Sequence, residues 1–394
     1  MHLGARLLCL IVISMVFGIS RGEISTCPPE WHCDPRFYGF SPRVGTVTSG
    51  SHIAFGGAYQ WQAPGEQPLD WEVSGLYSVR NYQRYEARIG RLRTRRRTFL
   101  LDPFGRRITS EFHERYQKKP GLAAFADFSY FSFPAQNFFG LGPDSRREDR
   151  TDFALQGAAI EGVFGYQITD WLGTSVRAGF LQFDLDEGHD DRYTNTSVLF
   201  PAIPGLDRQP DFYRFSSAIL ADYRDVPIDP QRGGITGLHF AHYRERGGSD
   251  FVFNRFAIDV RQYIPVESLL SVIALRFFSS MDDPVGDAQV PFYLAATLGG
   301  GSALRGFSTH RFRDRNLLLL SAEYRVRLTE TIEIAAFYDT GKTFSRSGDY
   351  DLRALQKAYG GGFRLKGGPI LFLRIDVGHS REGTHLHLNA GPAF

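Results

Sequence analysis

The sequence predicts an all-β chain, a transmembrane antiparallel β-barrel of about sixteen strands by the alternation test. Three observations carry this prediction. Apolar and polar residues alternate with a period of two along most of the chain. Long polar connections alternate with tight turns. The chain ends on an alternating segment with a terminal aromatic, "THLHLNAGPAF".

Composition narrows the class. Aromatics make up 14% of 394 residues, with 34 Phe and 18 Tyr, and side chains of this kind favour a pleated surface. Lys and Arg total 45 against 43 Asp and Glu, a net charge of +2. That balance argues against a nucleic-acid partner, which a basic excess would accompany. Mean hydropathy is −0.25. No apolar run beyond the N-terminus approaches the length of a spanning helix.

Residues 1–22 read as a signal peptide. Arg6 supplies the positive start, Leu7–Ser20 the apolar stretch, and Gly18, Ser20 and Gly22 the small residues of a cleavage site. A single membrane anchor is the alternative, for which the run is short. Residues 23–50 then form a short periplasmic tail, and the barrel is expected over 51–394. Cys9 leaves with the signal. Cys27 and Cys33, in "CPPEWHC", are expected to form a disulfide in an oxidising compartment. Lipid modification of Cys27 is the weaker alternative, because Arg21 and Glu23 interrupt the apolar approach. Cys27, His32 and Cys33 are too few ligands for a metal site. No metal or cofactor is expected.

Strands are predicted near 51–61, 70–80, 82–93, 98–104, 122–133, 151–166, 170–183 and 211–222. The series continues near 233–245, 251–264, 268–279, 316–328, 330–339, 357–365, 370–378 and 384–394. In 318–328, Leu318, Leu320, Ala322, Tyr324, Val326 and Leu328 share one face; Ser321, Glu323, Arg325 and Arg327 share the other. In 252–264, Val252, Phe256, Ile258, Val260 and Ile264 oppose Arg255, Asp259 and Arg261. In 331–339, Ile332, Ile334, Ala336 and Tyr338 oppose Glu333, Phe337 and Asp339. The last segment places Leu386, Leu388, Ala390 and Phe394 on the apolar face, with His385, His387 and Asn389 opposite. His385 and His387 read as a polar lumen-facing pair, with metal binding the lesser alternative.

The long connections are 134–150, 184–210, 280–315 and 340–356. Tight turns at Gln167–Thr169, Pro265–Glu267 and Thr329 separate them. Outer-membrane barrels have this asymmetry, and in lipid a closed barrel satisfies every backbone group of a β-sheet.

The connection 280–315 contains "GGGSALRGF", Gly299–Phe307. It is not a phosphate loop, since no Lys follows Gly306. The "GKT" at Gly341–Thr343 has Ala336 where the first glycine of such a loop belongs. Nor does a Ser/His/Asp set stand at a hydrolase spacing, so the chain reads as no enzyme. Long loops without structure of their own tend to be functional.

"GGGSALRGF", followed by "RDRNLLLLSAEYRVRL", resembles the sixth outer loop and twelfth strand of the BamA/TamA-type assembly barrels, the bacterial surface antigen superfamily. "FYDTG", with Phe337, Asp339 and Gly341, is similar to that superfamily's F-x-D-x-G motif. "FFGLGPDS" (Phe138–Ser145) and "DPQRGGITGLHF" (Asp229–Phe240) also resemble its members. The resemblance covers most of 130–394. It implies a loop tip folded into the lumen, with Arg305 pairing with Asp339. Gly299–Gly301 and Gly306 would supply the turn, and Phe307 would pack beside the arginine. A bracing role for the pair is the structural alternative. The resemblance also implies a lateral seam between first and last strands, which Gly391 and Pro392 would weaken, and a C-terminal assembly signal ending in Phe394. Barrels of this superfamily carry periplasmic POTRA domains, for which 23–50 is too short.

The implied function is insertion or translocation of substrate proteins or lipids at the outer membrane of a Gram-negative bacterium, with a separately encoded periplasmic POTRA-type partner. The alternative is a stand-alone channel gated by the loop carrying Arg305. A surface adhesin or lipid-acting enzyme is the third reading and has no catalytic set behind it.

Overall fold

The computed structural model describes residues 39–48, 50–62, 69–91, 121–226, 229–266, 270–367, 370–389 and 394. The predicted signal peptide, Cys27, Cys33, Gly391, Pro392 and the strand expected at 98–104 lie outside these residues.

Sixteen strands follow one another as an antiparallel meander. They are β1 (Gly39–Gly45), β2 (Ala54–Gln62), β3 (Asp70–Ser78), β4 (Gln83–Arg91), β5 (Gly121–Phe138), β6 (Thr151–Gln167), β7 (Leu172–Glu187) and β8 (Phe212–Asp222). The second half comprises β9 (Gly233–Glu245), β10 (Val252–Val266), β11 (Ser271–Pro284), β12 (Asn316–Arg327), β13 (Ile332–Phe344), β14 (Gln356–Gly367), β15 (Ile370–Ser380) and β16 (Gly383–Asn389). Each strand pairs with the next, from β1 with β2 through to β15 with β16. β4 pairs directly with β5.

The barrel begins earlier than the predicted boundary. β1 lies within the segment read as a periplasmic tail and pairs along its whole length with β2. Pro42 hid it, since proline within a short run argues against a strand except at an edge. Several strands also run further at their outer ends than alternation suggested. β5 continues past Pro134 through an irregularity between Phe133 and Gln136, and β13 continues through Thr340–Phe344.

The two faces are inverted relative to a soluble protein. On β10, Phe256 and Ile264 are 52% and 42% exposed, whereas Arg255 and Arg261 are 4% and 8% exposed. The apolar face is the outward, lipid-facing one, and the charged face lines the lumen. Tyr213, Phe215 and Ile219 on β8, and Tyr359, Phe363 and Leu365 on β14, continue the outer belt.

The lumen is filled. At the outer end, aromatic side chains from several strands meet a short 3₁₀ turn, Phe292–Leu294, from the loop between β11 and β12. Phe292 lies edge-on to Phe138 and Phe153, at centroid distances of 5.2 and 4.9 Å. Tyr293 lies 5.5 Å from Phe183. This is the largest of the apolar clusters inside the barrel among the described residues.

Candidate functional site

The β11–β12 loop, residues 285–315, folds back into the barrel. A short ladder between Ala296–Leu298 and Phe312–Asp314 gives it a stem. The stem is held by Arg313, which donates to the Phe292 carbonyl at 2.8 Å, and by the Gly142 amide, which donates to the Arg313 carbonyl at 2.8 Å. Arg255 binds Asp282 through two hydrogen bonds of 2.6 Å and donates to the Leu294 carbonyl at 2.7 Å. Arg311 donates to both Glu382 carboxylate oxygens at 2.9 Å and to the Ser145 carbonyl at 2.7 Å.

Beyond the stem, Gly299 and Gly300 adopt φ of +116° and +98°. Glycine adopts these values without steric cost, and the chain reverses there. Gly301 and Gly306 are needed for space rather than for φ. A Cβ on Gly301 would lie 2.5 Å from the Asn389 amide nitrogen, and one on Gly306 would lie 2.7 Å from the His379 carbonyl oxygen.

At the tip, Arg305 is 1% exposed and Asp339 is 0% exposed. Arg305 Nε and Nη2 donate to the two Asp339 oxygens at 2.7 and 2.9 Å, a bidentate pair. The Arg305 amide donates to the same carboxylate at 3.2 Å. Nη1 also donates to Glu323 on β12 and lies 3.9 Å from Asp376 on β15. The guanidinium stacks 3.5 Å above the centroid of Phe337, a cation–π contact in a desolvated place. The aromatic beside Arg305 is therefore Phe337. Phe307, expected there, packs instead into an apolar cluster with Leu298, Leu304, Phe312, Leu317 and Leu319, its ring 5.2 Å from Phe312. Gly341 faces that cluster: a Cβ there would meet Leu298 at 3.2 Å and the Leu318 carbonyl at 2.4 Å.

Alternation assigned Glu323 and Arg325 to the charged face but did not reveal that a network forms there. Arg325 donates to Glu323 at 2.7 Å. Arg364 bridges Glu323 and Asp376 at 3.1 and 2.6 Å. Arg374 lies 3.0 Å from Asp376 and donates to the Gly301 carbonyl. Three carboxylates thus sit among four guanidinium groups. Wall glycines admit the tip: a Cβ on Gly378 would lie 2.3 Å from the Arg305 carbonyl oxygen. No sequence pattern marked Gly378, Arg364, Arg374 or Asp376, because the loop tip and Glu323, which they also meet, come from elsewhere in the chain.

The tip also touches the last strand. His387 Nε2 lies 2.8 Å from the Arg305 carbonyl oxygen, and Ser380 Oγ donates to the Gly306 carbonyl at 2.6 Å. His385 and His387 stack at 6.3 Å and belong to no metal-binding group among the described residues.

Phe394 is not on the lipid face. It is 4% exposed and packs in the lumen with Tyr263, Val272 and Ala274. Tyr263 Oη donates to its carbonyl oxygen at 3.0 Å, and Arg325 lies 5.9 Å from its ring centroid. The alternation that put Phe394 on the apolar outer face on paper therefore does not hold for it.

One further ionic contact crosses the barrel at the end opposite the long loops. Lys366 on β14 donates to Asp229, in the β8–β9 connection, at 2.8 and 2.9 Å, and to Glu333 on β13 at 2.6 Å.

Residues 99–389 match the Omp85 superfamily domain. Among solved structures, the chain is similar to BamA from Haemophilus ducreyi lacking POTRA domains 1–3, with a TM-score of 0.61 at 12% identity, over 90% of this chain and 70% of that one. It is also similar to CdiB from Escherichia coli, with a TM-score of 0.51 at 14% identity, over 92% of this chain and 63% of that chain. This chain therefore spans less than two thirds of the CdiB chain.

Proposed function

Because the chain belongs to the Omp85 superfamily and is an outer-membrane β-barrel, we propose that it inserts or translocates proteins or lipids at the outer membrane, without enzymatic chemistry. It works with a separately encoded periplasmic protein of the POTRA type. The observation that supports this reading is the pairing of a weak seam with a tethered loop. Among the described residues, β1 and β16 are the shortest strands, seven residues each. Among the described residues no ladder joins them, whereas every consecutive pair along the chain shares one. The tip of the lumen loop contacts β16 through His387 and is anchored to β12 and β13 through Glu323 and Asp339. A loop held this way can couple the state of the lumen to the state of the seam.

Crosslinking of the tagged barrel in native outer membranes, with mass spectrometry of what co-purifies, tests the partner. A POTRA-bearing periplasmic protein in stoichiometric amount is the expected result. A barrel recovered alone, and inactive in a reconstituted insertion assay, refutes it.

The second reading is a stand-alone channel gated by the loop that carries Arg305. It is favoured by the same loop's occupancy of the lumen, from the aromatic tier down to the ionic network. Planar-bilayer conductance separates the two readings, since a gated channel opens to a defined unitary conductance in the wild-type protein.

A further inference from the structure

A cavity of about 310 Å³ lies against the outer half of the seam. Its walls come from Thr46 just after β1, residues 385–389 of β16, the loop segment 308–310 and the outer connections. It borders the ionic network around Arg305 through His387 and Gly301, and the inference does not depend on the proposed function.

The lining is one-sided in charge. Arg80, Arg150, His52, His310, His385 and His387 contribute to it, and among the described lining residues Asp190 is the only carboxylate. Asp190 is already engaged by Arg192, through two hydrogen bonds of 2.7 Å, and Arg80 lies 3.8 Å from it. Arg150 donates to Asn137 Oδ1 at 3.0 Å and stacks 3.8 Å over Tyr193. No carboxylate lies within ion-pair distance of Arg150 among the described residues. Its Nε is buried without a hydrogen-bond partner, and so are His310 Nδ1 and His385 Nε2. Buried polar atoms in native proteins are nearly always paired, so three orphans around one cavity point to a missing acceptor. The volume matches the lower end of small-ligand sites, at about 300 Å³. A phosphate group with accompanying water fits within it.

We propose that this cavity binds a phosphate monoester, with Arg150, His310 and His385 as its direct donors. The group comes either from a lipid head group entering at the seam or from a soluble phosphate. Leu386 and Leu388 on the β16 wall are exposed toward lipid, so a head group placed here would lay its acyl chains against them. His52, held below the usual imidazole value by burial and by Arg80, is neutral at pH 7.

The test uses the full chain in phosphatidylcholine nanodiscs, titrated with inorganic phosphate and followed by phosphorus NMR. Parallel nanodiscs contain phosphatidic acid. Wild type is expected to bind phosphate saturably. The double variant Arg150→Gln/His310→Gln should bind at least about tenfold more weakly, the scale of one lost charge-assisted hydrogen bond. Arg146→Gln, on an exposed arginine outside the cavity, should bind as wild type does. Competition by phosphatidic acid assigns the site to lipid; saturable phosphate binding with no such competition assigns it to a soluble anion. Absence of saturable binding by wild type, or equal affinity in the double variant, overturns the proposal. Heat-modifiable gel migration checks folding. If the double variant fails to fold, His385→Gln alone carries the same expectation.

Discussion

Replacing Arg305 with alanine should release the loop tip from the barrel wall. The magnitude follows from which partners are left behind. Glu323 keeps Arg325 and Arg364. Asp339 has Arg305 as its ion-pair partner in the structure and is fully buried. Its carboxylate would stay in the interior without a guanidinium. Breaking a buried ion pair by removing one partner costs about 3–5 kcal/mol, and loss of the Phe337 stack adds about 0.5–2 kcal/mol. Arg305→Lys keeps the charge but loses the fork, so it should fall between wild type and alanine. In Arg305→Ala/Asp339→Asn the orphaned charge is also gone, so the double variant should be more stable than Arg305→Ala alone. The assay is a double-mutant cycle on thermal unfolding in detergent, combined with planar-bilayer conductance. Arg305→Ala and Asp339→Ala should each lower stability and raise conductance. Unchanged stability and conductance in both variants would refute the reasoning. Lowered stability with unchanged conductance would reduce the pair to a brace of the wall.

Four further outcomes are expected. Gly378→Ala should displace the tip, because the new methyl cannot share space with the Arg305 carbonyl oxygen; limited proteolysis from outside should then cut within 299–307 faster than in wild type. Phe292→Ala should open the outer tier and cost about 3–5 kcal/mol, as large-to-small core changes do; a rise in conductance smaller than that of Arg305→Ala would rank the aromatic tier below the ionic network as the barrier. Asp229→Asn should cost no more than about 1 kcal/mol, since Lys366 retains Glu333; its unfolding temperature should stay close to wild type. Tyr263→Phe should loosen Phe394 by about 1.5–3 kcal/mol, one hydrogen bond to a charged group, read as faster carboxypeptidase trimming of the C-terminus.

Alternation carried most of the fold, because lipid on one side and a charged lumen on the other impose it on nearly every strand. It failed where a strand is short and carries proline, as β1 does at Pro42. It also stopped too early where outer strand ends turn polar, as at Thr340–Thr343 of β13, because a lumen-lined extension reads like a loop. Arg305 and Asp339 were legible through paired motifs. The rest of the network was not. Glu323, Arg364 and the Arg374–Asp376 pair lie on three separate strands and meet only when the barrel curls, so no local spacing records the whole network. Phe337 rather than Phe307 stacks on Arg305 because both rings flank the pair in sequence, and side-chain direction decides which one faces the guanidinium. Phe394 departed from strict periodicity, packing instead inside the lumen against Tyr263, Val272 and Ala274.

The filled lumen also constrains the order in which the molecule can be built. The loop tip finds its ionic partners in the strands that follow it, with Glu323 18 residues away and Asp339 34 residues away. The aromatic tier and the Asn137–Thr309 contact, by contrast, tie the same loop to the N-terminal half, the latter across 172 residues. Short-range contacts form before long-range ones, because less chain entropy must be lost to make them. The C-terminal half-shell therefore gathers around its own loop first and presents a preassembled surface. The N-terminal strands wrap onto that surface afterward, and the join between β1 and β16 is the last to be made. The barrel is a cylinder cast around its own core, and by this order its seam is the place of latest assembly.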